Sequence, residues 1–198
     1  MTGVQTCALP IWEKNINDFK NSYNLASANA FIYFDNLDNA YFPSKGINSQ
    51  ISGFTANLFD GGYYNGFKGN FDFYQPLNKK LSFSLGTNFA SMEGKEYPKN
   101  KLFKLGGLRT TNKYTSFIGL PMMGIYSNKY YTASIGAQYN IAPSLYLLAK
   151  YNTLSFESNE ISFQENQKIF KDWEHGYGIG VGWNTFLEIG RASCRERV

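Results

Sequence analysis

The chain has 198 residues, a net charge of +4 from 19 Lys and Arg against 15 Asp and Glu, and an aromatic content of 18%. Its mean hydropathy is negative and no apolar run approaches the roughly eighteen residues of a spanning helix, which excludes a helical membrane protein. Seventeen Phe, fifteen Tyr and 19 Gly in a hydrophilic chain leave two all-β classes, a membrane β-barrel and a soluble β-sandwich.

Taken in chain order, residues 1–11 (MTGVQTCALPI) back-translate to a sequencing adapter, and residues 188–198 (EIGRASCRERV) to the opposite adapter. Both ends are set aside as non-native, with Trp12 as a junction codon, so that residues 12–187 form a single domain. Without those ends three arginines and two glutamates are lost and the charge becomes +3. Both cysteines, Cys7 and Cys194, go with them, which removes any disulfide framework or thiolate metal site. The lysines are scattered along the chain, and nothing points to nucleic acid.

The first predicted strand, 24–35, sets Ala26, Ala28, Ala30, Ile32 and Phe34 against Ser27, Asn29, Phe31 and Tyr33, because successive strand side chains point to opposite faces. Turn formers at 36–46 end it. A weaker strand follows at 47–59, then a glycine-containing loop at 60–66. The strand at 67–75 puts Phe67, Phe71 and Phe73 opposite Lys68, Asn70 and Asp72. After the turn at 76–80, the strand at 81–90 gives the cleanest alternation, with Leu81, Phe83, Leu85, Thr87 and Phe89 outward. A polar loop is expected at 91–102, a short strand at 103–105, a long loop at 108–121 and a further strand near 122–127.

Residues 130–154 then read as a hairpin. Tyr131, Ala133, Ile135, Ala137, Tyr139 and Ile141 alternate with polar or small residues, Ala142-Pro143-Ser144 turns the chain, and Leu145, Leu147, Ala149 and Tyr151 return. Each arm is about ten residues, the length a tilted strand needs to cross a bilayer. A long segment at 155–174 leads to a last strand at 175–186. Short turns alternate with long loops, as in outer-membrane barrels, except that residues 127–129 are short where a long loop is due unless 108–121 folds inward.

Three motifs, in order, carry a resemblance. Asp35 to Gly46 (DNLDNAYFPSKG), Phe103 to Gly107 (FKLGG) and the glycine-alternating run His175 to Thr185 resemble elements of the bacterial surface antigen superfamily of outer-membrane assembly and secretion barrels. Assembly barrels carry an R-G-F/Y tripeptide in the inward loop. Here Arg109 is followed by Thr110, and no role is carried to it. Phe117 to Pro121 (FIGLP) is similar instead to the barrels of patatin-like phospholipases of type V secretion. The resemblance implies an outer-membrane barrel that anchors or translocates an N-terminal lipase lying outside this chain. The alternatives are an assembly factor, a porin-type channel and a soluble β-sandwich binding module.

No catalytic, cofactor or metal residue is assigned. There is no G-x-S-x-G elbow, and His175 beside Glu174 lacks a triad context. Gly176, Gly178, Gly180 and Gly182 recur every second residue, which is a strand face and not a dinucleotide loop; a bare row suits close packing by another element. Asp35, Asp38 and Asn39 lack calcium-loop spacing, and Glu157, Glu160, Glu165 and Glu174 spread along one loop. The expectation is therefore an antiparallel transmembrane barrel fragment of about eight or nine strands. It would be open and curved or incompletely closed, with lipid, its missing strands and its N-terminal domain as partners.

Overall fold

The computed structural model describes residues 3–18, 21–59, 61–96, 99–108, 114–157, 169–184 and 189–197. In chain order the strands are β1 (Gly3–Asp18), β2 (Asn21–Asp35), β3 (Gly46–Leu58), β4 (Tyr63–Pro76), β5 (Leu81–Lys95), β6 (Phe103–Leu105), β7 (Ile125–Ser127), β8 (Lys129–Ala142), β9 (Leu145–Phe156), β10 (Glu174–Asn184) and β11 (Ile189–Arg197). All but β6 and β7 join one nine-stranded antiparallel sheet, each strand beside its neighbour in sequence and β5 passing directly to β8. β1 and β11 each pair on one side, so the sheet is open, as expected for a barrel wall that has not closed.

The alternation read from the sequence sorts the two faces. Pairing aligns Ile47, Phe73, Leu85, Ile135, Tyr151 and Tyr177 in one row across six strands, and Phe83, Ala137, Ala149 and Ile179 in the next. These rows are solvent-accessible: Leu85 is 45% exposed, Ile135 44% and Ile179 62%. The opposite face carries Asn48, Asp72, Gly86, Ser134, Asn152 and Gly176 in register. A soluble sandwich covers its apolar face with a second sheet. Among the described residues the second sheet is only the two three-residue strands β6 and β7, and it lies on the polar side. An apolar outer belt with a polar inner face is the inverse pattern, that of a barrel wall in lipid.

Three boundaries differ from the sequence reading. Tyr63 and Tyr64 are already strand, because Tyr64 is buried inward against Leu58 and Met92. Residues 91–95 continue β5 where a loop was expected; Ala90 and Met92 stay buried inside while Glu93 pairs outside with Lys129 at 2.7 Å. The strand near 122–127 is not a wall strand. Its only strand, β7, pairs with β6, and among the described residues 103–107 and 114–127 fold over the inner face, which resolves the misplaced short link at 127–129.

The ends set aside on their sequence are extended here, β1 along β2 and β11 along β10. Main-chain hydrogen bonding accepts any extended segment at an open edge, so this pairing is indifferent to where those residues come from. The connections 36–45, 77–80 and 143–144 gather at one end of the sheet, and the described residues 59, 61–62, 96, 128, 157 and 173, which flank the strands, lie at the other. We call these the turn end and the loop end.

Candidate functional site: the inner face and the segment docked on it

The inner face is built from alternate residues of seven strands, β2 to β5 and β8 to β10, and its polar groups pair across them. Asn70 donates to Asn48 (3.2 Å), Asn48 to the Tyr33 hydroxyl (2.9 Å) and Asn88 to Thr132 Oγ1 (3.2 Å). Lys68, Asp72 and Lys150 lie on the same face around a polar cavity of about 640 Å³. Lys150 and Asp72 attract one another there. This is the lumen side, and it is where the polar alternation placed Lys68, Asn70 and Asp72.

The described residues 103–107 and 114–127 dock onto this face near the loop end. Gly106 and Gly107 make the turn in, with φ of 123° and 84°, a region that β-carbons disfavour. A Cβ on Gly106 would meet the Pro121 carbonyl oxygen at 2.0 Å. The F-K-L-G-G element is thus a short strand followed by the two residues that let the chain reverse. Its main chain is tied back on itself: the Gly106 amide donates to Thr115 O (2.9 Å), Thr115 to Lys104 O (2.9 Å) and Phe117 to Gly107 O (3.1 Å). Phe117, Leu120, Leu105 and Ile125 bury against Ala90, Tyr130, Leu154 and Phe156 of the wall. Thr115 Oγ1 and the Tyr130 hydroxyl pair at 2.8 Å inside this core.

One side chain clamps the tip. Buried Asn152, in the amide orientation that satisfies both groups, donates to Gly176 O (3.0 Å) and accepts from the Ile118 N–H (3.1 Å). Gly176 must lack a side chain, because a Cβ there would sit 1.9 Å from the Ile118 oxygen. At the turn end Phe42 reaches across to the same strand row. It stacks on Tyr146 (centroids 4.5 Å apart), accepts from Gln138 Nε2 through its carbonyl (3.3 Å), and occupies the space a Cβ on Gly182 would need. The glycine ladder is bare because two elements pack on it, one from each end. Between them, Gly178 and Gly180 line a cavity of about 200 Å³ with Pro43, Leu108 and Ile118.

The other residues singled out have structural places. His175 stacks on Tyr151 on the outer face, with Nδ1 2.8 Å from the Tyr151 hydroxyl. Asp35 accepts from Leu37 N (2.9 Å), and Asn39 from Tyr41 N (2.8 Å) and Phe42 N (3.1 Å). Asp38 accepts from Ser44 N (2.8 Å), Lys45 N (3.1 Å) and the Ser44 hydroxyl. Burial pushes the Asp38 carboxyl up, but the Ser44 hydroxyl and the Lys45 and Ser44 amides outweigh it and hold it below the usual range. All three organise the turn that delivers Phe42. Glu157 follows β9, where its carbonyl accepts from Ser127 Oγ (2.8 Å), and Glu174 opens β10, while Arg109, Glu160 and Glu165 lie outside the described residues.

Sequence reasoning did not single out Asn152 or Phe42. Asn152 was one of several polar alternations, and Phe42 was one apolar residue in a run of turn formers; neither carried a local signal of its contact partner. Compared with known proteins, a family model described as the OMP85 superfamily matches residues 4–190, spanning all three motifs. No curated protein matches the chain.

Proposed function

The chain belongs to the OMP85 superfamily of outer-membrane β-barrels, and from that membership we propose that it anchors or translocates an attached N-terminal domain, a patatin-like phospholipase. Barrels of this superfamily are not enzymes, so any lipase chemistry would belong to the attached domain. The apolar outer face would meet the lipid of a bacterial outer membrane, and its open edges would pair with further wall strands in the parent protein. Residues 1–11 and 188–198 would be replaced there by native sequence.

The observation that carries the finer reading is the docked segment. Its Phe117 to Pro121 run is held by core packing and by the Asn152 clamp on Ile118, in the place where an assembly barrel relies on an R-G-aromatic tripeptide. A segment fixed by its own main chain supports a wall that stays in one arrangement around its cargo. The test is the parent gene upstream of the codon for Glu13. An in-frame domain with a G-x-S-x-G elbow is expected. Periplasmic transport-associated repeats without a lipase would replace this reading with an assembly factor.

A further inference from the structure

At the loop end, residues 169–173 fold back over the outside of the wall. The Phe170 N–H donates to Ser155 Oγ (2.7 Å), and Ser155 is an outward residue of β9, level with Tyr131, that is fully buried. Three rings gather there. Tyr131 lies 6.0 Å from Phe170 and 6.2 Å, edge-on, from Trp173, and Phe170 lies 6.3 Å from Trp173. Even so, Phe170 is 62% exposed and Trp173 40%. Phe170 holds its place at a φ of 62°, a left-handed conformation that so large a side chain rarely adopts. An exposed aromatic cluster on a constrained turn marks a contact surface.

We propose that this turn is an anchor in the headgroup layer of the bilayer, with Phe170 and Trp173 as the inserted rings. The inference rests on the reading of the outer face as lipid-facing. Height on the wall carries it. Phe89, Tyr131 and Ser155 pair in register as the last outward row of the apolar belt. In the next row toward the loop end Ser91 pairs with Lys129, and Lys129 binds Glu93 at 2.7 Å. The rings therefore lie where apolar surface gives way to charge. Trp173 precedes Ile179 by six residues, roughly 20 Å of extended chain, or about 15 Å of height at a tilt of about 40°. That is half of a hydrocarbon layer about 30 Å thick, so a midplane Ile179 puts Trp173 at its boundary. Trp and Tyr collect at this boundary because their rings are apolar while their polar atoms need water or headgroups. The Trp173 indole N–H has no hydrogen bond among the described residues, which leaves it for a headgroup oxygen. The patch is completed by a loop, so the strand alternation alone did not reveal it.

The test reads the depth of Trp173 directly. The full chain carrying Trp12→Phe and Trp183→Phe, folded into phosphatidylcholine vesicles, keeps Trp173 as its sole tryptophan. The lipids carry bromine either near the head or near the end of their acyl chains. Trp173 fluorescence is expected to be quenched at least about twofold more by the shallow bromines. Moving the reporter to the belt centre, by Ile179→Trp in a chain that also carries Trp173→Phe, should reverse that order. Phe170→Asn supplies a residue that tolerates the left-handed backbone but lacks the ring, and should cut the shallow quenching of Trp173 by about half. Trp173 quenched most by the deep bromines, or by neither set while Ile179→Trp responds to the deep ones, overturns the anchor and leaves the wall in the membrane. Unchanged quenching in Phe170→Asn also overturns it. An Ile179→Trp reporter that neither set quenches overturns the lipid-facing reading as well.

Discussion

Phe117→Ala is expected to cost about 3–5 kcal/mol, and to lose it from the docked segment while the wall stays folded. Phe117 is 1% exposed and is surrounded by Leu105, Leu120 and Ile125 of its own segment and by Ala90, Tyr130, Leu154 and Phe156 of the wall. Those four wall residues sit on strands hydrogen-bonded on both sides, so they cannot move in to fill the void. The cost of a large-to-small core change is greatest where collapse is prevented. The check is protease cleavage within 96–128 beside a heat-dependent shift in gel mobility, which reports the wall. Faster cleavage with an unchanged mobility shift is the expected pair; a stability change under about 1 kcal/mol would mean that Phe117 does not hold the segment down.

Gly176→Val acts on the same docking from the other side. Its Cβ would lie 1.9 Å from the Ile118 carbonyl oxygen and 2.9 Å from the Ile118 carbonyl carbon. Both are backbone atoms, so no rotamer change relieves the clash, and the segment must lift away from β10. Lifting also strands the Ile118 N–H and the Asn152 amide, each of which costs about 1–3 kcal/mol if left buried and unpaired. Cleavage within the segment should rise by at least about tenfold, the equivalent of 1.4 kcal/mol. Gly53→Ala is the control: its added Cβ would find only the Gly66 oxygen at 3.9 Å, and cleavage should stay as in the wild type. If Gly176→Val matched that control, the glycine ladder would not be a docking surface.

How far the sequence could be read follows from the range of each signal. Strand identity and facing were legible at 81–90 and 130–154 because the period of two repeats within the strand itself. The bare row at Gly176 and Gly182 was legible as a packing surface, because absence of side chains is itself local information. Strand ends were less so. Glu93 and Lys95 look like loop residues, yet β5 continues through them, because polar outer side chains suit a strand that has risen above the apolar belt. The role of Ile125 to Ser127 was not legible at all, since three residues pair as readily inside a barrel as within its wall. The Asn152 clamp depends on where residues 114–120 fold, and no spacing along the chain encodes that placement.

The most direct measurement concerns the outer face. Ile179 lies midway along β10 and is 62% exposed, a position where a soluble protein accepts arginine within about 0.5 kcal/mol. In a wall facing lipid the same Ile179→Arg change near the bilayer midplane costs about 2–4 kcal/mol. Reversible unfolding of the full chain in lipid vesicles, wild type against Ile179→Arg, is expected to show a loss in that range. Equal stabilities, or a wild-type chain that stays soluble and monomeric without detergent, would contradict a membrane-spanning wall.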